Sequence, residues 1–271
     1  MVVGTWMKVS LFKNEPGGFM DVSEAAGLGR TTGWWNSIAC ADLDMDGDLD
    51  FIAGNHGRNS MLKASSEEPV ELWLNDFDNN GIPDPIISTY QQGHSYPIAS
   101  LDELKRQIIG IERIYTSYAS YAGQTVKDIF GEESLSRSIR KQAETMESAL
   151  FINQGDGTYE TRTLPMELQF APIRNILAGD FNADGIPDLM LAGNNYSTRP
   201  SLGRQDASYG WILLANEDFN YKTLWPARSG ISLNGDLRKL QQIRVNGESL
   251  FICAPNNGYL QVIKQGKKDK Q

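Results

Sequence analysis

The chain has 271 residues, of which 40% are hydrophobic, and its formal net charge is -9 at pH 7. This apolar content is enough to bury a full core, as one repeat-built domain or as two ordinary domains. The acidic balance argues against nucleic acid as a partner, because affinity for a phosphate backbone depends on clustered Lys and Arg. The basic run GKKDK lies within residues 266–271, which we predict to be a disordered tail.

No apolar run in the sequence approaches the roughly 20 residues that a membrane-spanning helix needs. The first residues, MVVGTWMKVSLFKNE, lack the charged and then apolar layout of a secretory signal. Two alternatives follow from the sequence: the protein is cytoplasmic, or this chain lacks its natural N-terminus.

The first predicted element is a β-hairpin at residues 10–22, SLFKNEPGGFMDV, in which two strand-like runs flank a polar turn. The same layout returns at residues 149–164 and 211–224. We call these segments the polar-turn hairpins.

The second kind of element is an acidic loop between two short strand-like segments. Loop 1, DLDMDGDLD, occupies residues 42–50, and the pattern returns in loop 2 at residues 76–84 and in loop 3 at residues 180–188. Each loop has an oxygen-bearing side chain at positions 1, 3 and 5, glycine at position 6 and aspartate at position 9. Three copies in one register disfavour the alternative, an acidic surface turn without a metal.

This spacing suits calcium, which takes six to eight oxygen ligands at about 2.3 to 2.6 Å, while glycine permits the sharp turn. Position 7 is expected to contribute a backbone carbonyl. The loops resemble the first half of an EF-hand, but position 12 holds Ala53, Ile87 or Leu191 where an EF-hand has a bidentate glutamate. The predicted unit is therefore a β-hairpin with a calcium loop at its turn, and there are about three calcium sites.

Alternation of the acidic hairpins with the polar-turn hairpins predicts four-stranded antiparallel sheets, the unit of a β-propeller blade. One region interrupts this β pattern. Residues 101–118 have apolar side chains at mostly helical spacing after a capping box of Ser100 and Glu103, and a second helical run is predicted at about residues 133–147. This helical insertion, residues 100–148, is placed inside a blade, between its inner and outer hairpins. It is either a cap that buries its apolar stripe or a docking arm for a partner.

Together these elements resemble the FG-GAP or VCBS repeats of integrin-like β-propellers, and most closely bacterial VCBS-repeat proteins of the ASPIC/UnbV type. The segments that carry the resemblance are LFKNEPGGFMDVSEAAGL, GWWNSIACADLDMDGDLDFIAGN, PVELWLNDFDNNGIPDPII, LFINQGDGTYETRTLP, QFAPIRNILAGDFNADGIPDLMLAGN and GRQDASYG. The resemblance implies an all-β fold, a partial β-propeller of roughly four blades over residues 1–265, with Ca²⁺ in the blade hairpins. It also implies an extracellular, periplasmic or outer-membrane surface location.

The resemblance further implies a set of metal ligands, with position 7 acting through its carbonyl. They are Asp42, Asp44, Asp46, Asp48, Asp50, Asp76, Asp78, Asn80, Ile82, Asp84, Asp180, Asn182, Asp184, Ile186 and Asp188. Two features depart from the family pattern. The last segment, residues 231–263, keeps strand periodicity without an acidic loop, so it is expected to bind no metal. The chain also opens on an outer hairpin, which suggests the C-terminal part of a longer propeller.

A candidate ligand-binding rim follows the first and third acidic hairpins, at GNHGRNS and GNNYSTRPSLGR. Exposed amides, an aromatic ring and arginines on one face suit a sugar or an acidic peptide; the alternative is that these loop residues satisfy their own backbone. Of the tryptophan pair in TTGWWNS, one is expected in the core and the other is a candidate for stacking on a sugar ring. The candidate rim consists of Trp34, Trp35, Asn55, His56, Arg58, Asn59, Asn194, Asn195, Tyr196, Arg199 and Arg204.

Catalytic motifs are scarce, since the chain has two histidines and lacks G-x-S-x-G, P-loop, H-E-x-x-H and C-x-x-C sequences. We therefore expect a non-catalytic, calcium-stabilised module of a secreted or surface-associated bacterial protein, in a larger polypeptide or surface complex, that binds a glycan or protein ligand. The alternative is a propeller-type polysaccharide hydrolase or lyase with an active site in the central funnel. RNA binding is opposed by the acidic composition.

The two cysteines, Cys40 and Cys253, lie in apolar surroundings. They are either buried free thiols or the ends of a bridge that closes a long loop. Neither alternative fixes the compartment.

Overall fold

The structure, a computed structural model, describes residues 1–266. The rest of the predicted disordered tail lies outside the described residues. The chain forms two compact units. The core unit consists of Met1–Met61 and of the described residues from Met146 onward, and the inserted unit is Leu62–Thr145. In the described part of the chain, no helix has both the length and the apolar character that a membrane crossing requires.

The elements follow one another in three blocks. The first block of the core unit contains β1 (Thr5–Met7), β2 (Phe12–Glu15), β3 (Gly18–Asp21), β4 (Gly33–Trp34), β5 (Ser37–Ala41) and β6 (Asp50–Gly54). The inserted unit contains β7 (Val70–Asn75), β8 (Asp84–Gln91), β9 (His94–Pro97), α1 (Leu101–Gln107), α2 (Ile111–Ile114), α3 (Tyr118–Tyr121), α4 (Val126–Ser136) and β10 (Ile139–Ala143).

The second block of the core unit completes the chain. It contains β11 (Ala149–Asn153), β12 (Tyr159–Thr163), β13 (Ile173–Gly179), β14 (Asp188–Gly193), β15 (Trp211–Ala215), β16 (Tyr221–Leu224), α5 (Pro226–Ser229), β17 (Leu237–Val245), β18 (Glu248–Pro255) and β19 (Gln261–Lys264). Two single turns of 3-10 helix lie at Met166–Gln169 and Pro200–Leu202.

The core unit is built from antiparallel sheets, as the alternating hairpins predicted. Two of them have four strands, in the orders β12-β11-β6-β5 and β13-β14-β15-β16, and each joins an acidic hairpin to a polar-turn hairpin. The others are β17-β18-β19, β1-β4 and β2-β3. The expectation of a mostly β protein with four-stranded antiparallel sheets is confirmed. None of the sheets among the described residues closes on itself.

The position of the insertion differs from the prediction. The polar-turn hairpin that begins at Ala149 pairs with β6, with Leu150 opposite Ile52 and Phe151 opposite Phe51. The interrupted sheet is therefore the one that carries loop 1, and the interruption comprises the whole inserted unit, not a helical segment of residues 100–148. Sequential hairpins usually pair, but β7 and β8 are instead completed by β9 and β10, which flank the helices on both sides.

Burial on both faces of β14 explains its continuous apolar sequence, LMLAG, after Asp188. Leu189 and Leu191 point into one buried cluster, and Met190 and Ala192 point into another. Because side chains alternate across a strand, a central strand covered on both faces has no polar alternation.

The inserted unit has its own four-stranded sheet, β10-β7-β8-β9, and its own core. The predicted capping box of Ser100 and Glu103 is present at the start of α1. Five of the apolar side chains at helical spacing are buried there, whereas Ile114 and Tyr118 are exposed. The helical insertion therefore buries most of its apolar stripe. The buried members are Leu101, Leu104, Ile108, Ile111 and Tyr115.

The second predicted helix, at about residues 133–147, is misplaced. Helix α4 begins earlier, because Thr125 forms a capping box with Asp128. Residues 139–143 form strand β10, which pairs along its whole length with β7.

Both cysteines are free: Cys40 is exposed, and Cys253 is buried, which raises the pKa of its thiol to about 11.

Candidate metal centres

Loop 1 is anchored by the buried carboxylate of Asp50, the first residue of β6. Its Oδ2 accepts the backbone N–H of Leu43 at 2.8 Å, and its Oδ1 accepts that of Asn153 at 2.8 Å. The aspartate at position 9 thus joins the start of the loop to the neighbouring strand β11. The Asp50 side chain is fully buried, and these hydrogen bonds satisfy its carboxylate at the base of the loop.

The turn of loop 1 curls around the carboxylate at position 1. The backbone N–H of Gly47 donates to Asp42 Oδ2 at 3.1 Å, and the N–H of Asp48 donates to Asp46 Oδ1 at 2.9 Å. Met45 and Gly47 have φ angles of 60° and 97°. Glycine at position 6 adopts its φ of 97° without the steric strain that a Cβ atom would add.

Loops 2 and 3 repeat this construction. At position 9, Asp84 and Asp188 are buried and accept the N–H of position 2, at 3.1 Å and 2.9 Å. The glycine at position 6 donates its N–H to the aspartate at position 1, at 2.8 Å in loop 2 and 2.9 Å in loop 3. In loop 3, the other Asp188 oxygen accepts the N–H of Ala215 at 3.0 Å, as Asp50 does with Asn153.

Two of the three loops gather their carboxylates into a cluster. Ligand atoms of the aspartates at positions 1, 3 and 9 lie within 4.8 Å of one another in loop 1 and in loop 2. Both clusters could hold a metal ion. They consist of Asp42, Asp44 and Asp50, and of Asp76, Asp78 and Asp84.

The atoms of loop 1 fit a cation. Asp42 Oδ1 and Asp44 Oδ1 are buried and have no hydrogen-bond partner. Burial, together with the neighbouring carboxylates Asp46 and Asp42, raises the pKa of Asp44. Orphaned, converging anionic oxygens are costly without a counter-charge, and hard cations such as Ca²⁺ prefer oxygen ligands.

Loop 2 has a hydrogen bond to the helical segment that has no counterpart in loop 1. Asp78 Oδ2 accepts the backbone N–H of Ile109 at 2.6 Å, so the loop is bonded to the helical segment of the inserted unit. Burial raises the pKa of Asp84. Asn80 occupies position 5, and its Oδ1 accepts the N–H of Ile82 at 2.7 Å.

Loop 3 has no carboxylate triad of this kind among the described residues. Position 3 is Asn182, whose amide Nδ2 donates to Asp184 Oδ2 at 2.8 Å and whose Oδ1 accepts the N–H of Asp184 at 2.8 Å. The backbone of Ile186 lies at position 7, and its N–H donates to Asp184 Oδ1. An amide at position 3 removes one charge from the loop, although an oxygen remains.

The two asparagines of the candidate rim that follow β6 and β14 are buried. Asn55 Oδ1 accepts the N–H groups of Trp34 and His56 at 3.0 Å and 2.8 Å. Asn194 exchanges two hydrogen bonds with the backbone of Ser208. Both side chains therefore form hydrogen bonds with nearby backbone groups.

His56 is also buried, and it joins two distant parts of the predicted rim. Its Nε2 lies 2.7 Å from Gln205 Nε2, and its ring packs edge-on against Trp34 with centroids 5.1 Å apart. Burial and the charge of Arg174 lower the pKa of His56 to about 4. A neutral ring therefore accepts the Gln205 amide hydrogen.

The remaining rim residues divide into core and surface. Trp35 lies in the core, where its Nε1 donates to the Thr31 carbonyl. Trp34 is half-buried. The others are at least partly exposed, and the Arg204 guanidinium lies over the Tyr196 ring, 5.0 Å from its centroid. The exposed or half-exposed residues are Arg58, Asn59, Asn195, Tyr196, Arg199 and Arg204.

Some rim residues are tied to nearby groups. Arg58 forms an ion pair with Glu147 at 3.0 Å, and Asn59 donates to the Phe170 carbonyl. Asn195 pairs through its backbone with Gln205. Gln205 was not identified from the sequence. In the structure its backbone pairs with Asn195, and its side chain contacts His56.

No protein-family model matches this sequence, and the chain matches no curated protein. The sheets and the carboxylate clusters identify the protein as an antiparallel β protein with acidic hairpin loops.

Proposed function

We propose that the protein is a calcium-binding β-propeller module of the FG-GAP/VCBS type, which binds a glycan or protein ligand outside the cytoplasm and is not a catalyst. The observation that carries the proposal is the pair of aspartate triads, with two orphaned oxygens in loop 1. Each triad lies at the turn of a strand pair, where a bound ion would tie the loop to the sheet.

The propeller assignment is supported by the repeated combination of hairpins. The sheets with loop 1 and loop 3 each join an acidic hairpin to a polar-turn hairpin, which is the expected composition of a blade. The three loops share the position-9 anchor and the position-6 donor. Such agreement between chemically similar turns favours one repeated unit.

The role of the metal in this proposal is structural. Calcium supplies positive charge to converging carboxylates, and the chain's own residues position those carboxylates through backbone hydrogen bonds. The rim residues Tyr196 and Arg204 present an aromatic face and a cation to solvent, which suits a sugar or an acidic peptide.

Thermal denaturation in calcium and in chelator tests the proposal. A ligand present at 100 times its Kd stabilises the folded state by about 2.7 kcal/mol per site, so calcium should raise the Tm. The triple variant D44N/D78N/D184N should lose most of this rise. The matched control D206N/E217Q/D218N removes the same charge from exposed positions outside the loops and should keep it. Equal melting with calcium and with chelator in the unmodified protein would overturn the proposal.

A further inference from the structure

One face of the inserted sheet carries a group of polar side chains on the side of α4. Cross-strand pairing places Trp73 opposite Arg140, Glu71 opposite Ser88, and Tyr90 opposite Ser95, so all six side chains share this face. Nearer the acidic loop, the same face is apolar, and Ile86 packs there with α1 and α2.

Glu71 lies at the centre of the polar face and has no exposed surface. Its carboxylate accepts hydrogen bonds from Ser95 Oγ at 2.9 Å, from Ser88 Oγ and Tyr90 OH at 3.4 Å, and from the guanidinium of Arg140. Its acceptor capacity is therefore occupied by the protein. A buried carboxylate so completely bonded acts here as a positioning residue for Arg140.

Arg140 presents its other edge outward. Its Nε–H and one Nη2–H go to Glu71, and its guanidinium lies over the Trp73 ring at 5.0 Å from the centroid. Its other N–H groups lie beside the Tyr90 hydroxyl, with which Arg140 also interacts, and 44% of the side chain is exposed. A guanidinium fixed in this way offers a planar, paired donor edge, which matches a carboxylate.

The Arg140 edge opens into a cleft of about 590 Å³ between the sheet and α4. Hydroxyl groups of Thr125, Ser136 and Ser138 line it, and each donates its hydrogen to a nearby protein oxygen. The Ser136 and Ser138 oxygens can therefore accept hydrogen bonds from a ligand's hydroxyl groups. Thr125 Oγ1 has one lone pair left, because it also accepts the backbone N–H of Asp128 at 3.1 Å. Val126 and Leu135 add apolar wall. Pockets of 300 to 1,000 Å³ hold small molecules.

We propose that this cleft binds an acidic sugar, with the ligand's carboxylate on the free edge of Arg140 and its hydroxyl groups on the Ser and Thr oxygens. The donor edge suits an anionic oxygen pair, and the hydroxyl acceptors suit neighbouring O–H groups. A uronic acid carries both. The inference rests on the proposed role as a ligand-binding module, but it places the ligand in the inserted unit, whereas the candidate rim residues belong to the core unit.

Nuclear magnetic resonance titration with D-glucuronate and D-glucose tests this inference, because the two sugars differ only at C6, where a carboxylate replaces a hydroxymethyl group. We expect glucuronate to bind about tenfold more tightly or better, as hydrogen bonds to charged groups typically provide. Acetate, which has the carboxylate without the hydroxyls, should bind more weakly than glucuronate. Equal affinity for glucuronate and glucose, or binding of neither, would overturn the inference.

The variants isolate Arg140. The double variant E71Q/R140Q removes both charges together, so it leaves no unpaired buried carboxylate, and it should lose glucuronate binding about tenfold or more. R137Q changes an exposed arginine outside the cleft and should bind as the unmodified protein does. Unchanged binding by E71Q/R140Q, with its fold verified by the same spectra, would also overturn the inference.

The metal and the cleft can fail separately. The titrations are made in saturating calcium, and the calcium-dependent Tm of E71Q/R140Q is measured in parallel. Glucuronate binding without any calcium effect on Tm would leave the cleft and remove the metal proposal. A normal calcium effect without glucuronate binding would do the reverse.

Discussion

The hairpins that carry loops 1 and 3 share their backbone construction and differ in particular side chains. In both, the position-9 aspartate is buried and bonded to two backbone N–H groups, one of them on the neighbouring strand. In both, the strand after the loop is followed by a buried asparagine, Asn55 or Asn194, whose side chain bonds to backbone groups. These shared contacts shape the loop whether or not its side chains can assemble a triad.

The differences lie at position 3 and after the buried asparagine. Position 3 is Asp44 in loop 1 and Asn182 in loop 3, and only loop 1 gathers a carboxylate triad. After the asparagine stand His56 and Asn195, and only the histidine titrates. The comparison separates what builds the hairpin from what gives it charge.

The largest expected effect concerns the shared anchor. D50A and D188A should each lower the free energy of unfolding by about 2 to 4 kcal/mol, because each leaves one buried and one partly buried backbone N–H group without its acceptor. Urea denaturation measures this loss. D48A changes an exposed aspartate at position 7 of loop 1 and should stay within about 0.5 kcal/mol. A small loss at only one anchor would show that the two hairpins are not held alike.

The second prediction concerns His56, which loop 3's hairpin lacks. The pKa of His56 is lowered to about 4 in the folded protein, so the unfolded chain takes up the proton first as the pH falls below about 6.5. The free energy of unfolding should therefore fall between pH 6.5 and 4, by up to about 3 kcal/mol from this residue.

H56N, which copies the third hairpin, should remove that component of the pH dependence. H94Q, at the other, exposed histidine, should keep it. Urea denaturation at several pH values makes the measurement, and identical slopes for H56N and H94Q would contradict the assignment.

The third prediction exchanges the side chains at position 3. D44N should weaken calcium binding at loop 1 by about tenfold or more, and N182D should strengthen binding at loop 3, because calcium affinity follows the number of ligand charges. Competition with a chromophoric chelator measures both affinities. If N182D has no effect while D44N does, loop 3 is limited by more than its charge.

The smallest expected effect is on the turn itself. G47A and G185A should each cost about 1 to 2 kcal/mol, because both positions have a left-handed φ, 97° and 89°, that alanine adopts with strain. A methyl group at either position would meet no atom within 4 Å, so the cost comes from backbone conformation alone. Thermal denaturation in chelator measures it, and a much larger loss at Gly47 than at Gly185 would break the equivalence of the turns.

Local patterns predicted local structure well. The acidic loops, the hairpins and the capping box at Ser100 follow from residue type and short spacing, and the structure contains all of them. The sequence predicted about three metal loops, whereas the structure gathers carboxylate triads in loops 1 and 2 and not in loop 3, where Asn182 occupies position 3. Each of these features is decided by residues within one turn of chain.

Features that depend on distant partners were not predicted. The hairpin at residues 149–164 pairs with β6, although the whole inserted unit separates the two in sequence. Nothing in the sequence of this hairpin selects β6 over β8. Strand β10 contains an Arg and a Lys beside few apolar residues, so its pairing with β7 was missed. Glu71 is a charged residue within the otherwise apolar strand VELWLN, and this was the available signal for a buried carboxylate. Its partner Arg140 lies far away in sequence, so the pair was not predicted.

The most direct test of the metal assignment is calorimetric titration of calcium into chelator-treated protein. Two triads predict two stronger sites, at loops 1 and 2, with any binding at loop 3 weaker because of Asn182. Heat that reports two stronger sites per chain, and one stronger site in D44N, is the predicted result. Absence of binding heat at any calcium concentration, together with an unchanged Tm, would contradict the assignment and leave the loops as acidic turns held by their backbone hydrogen bonds.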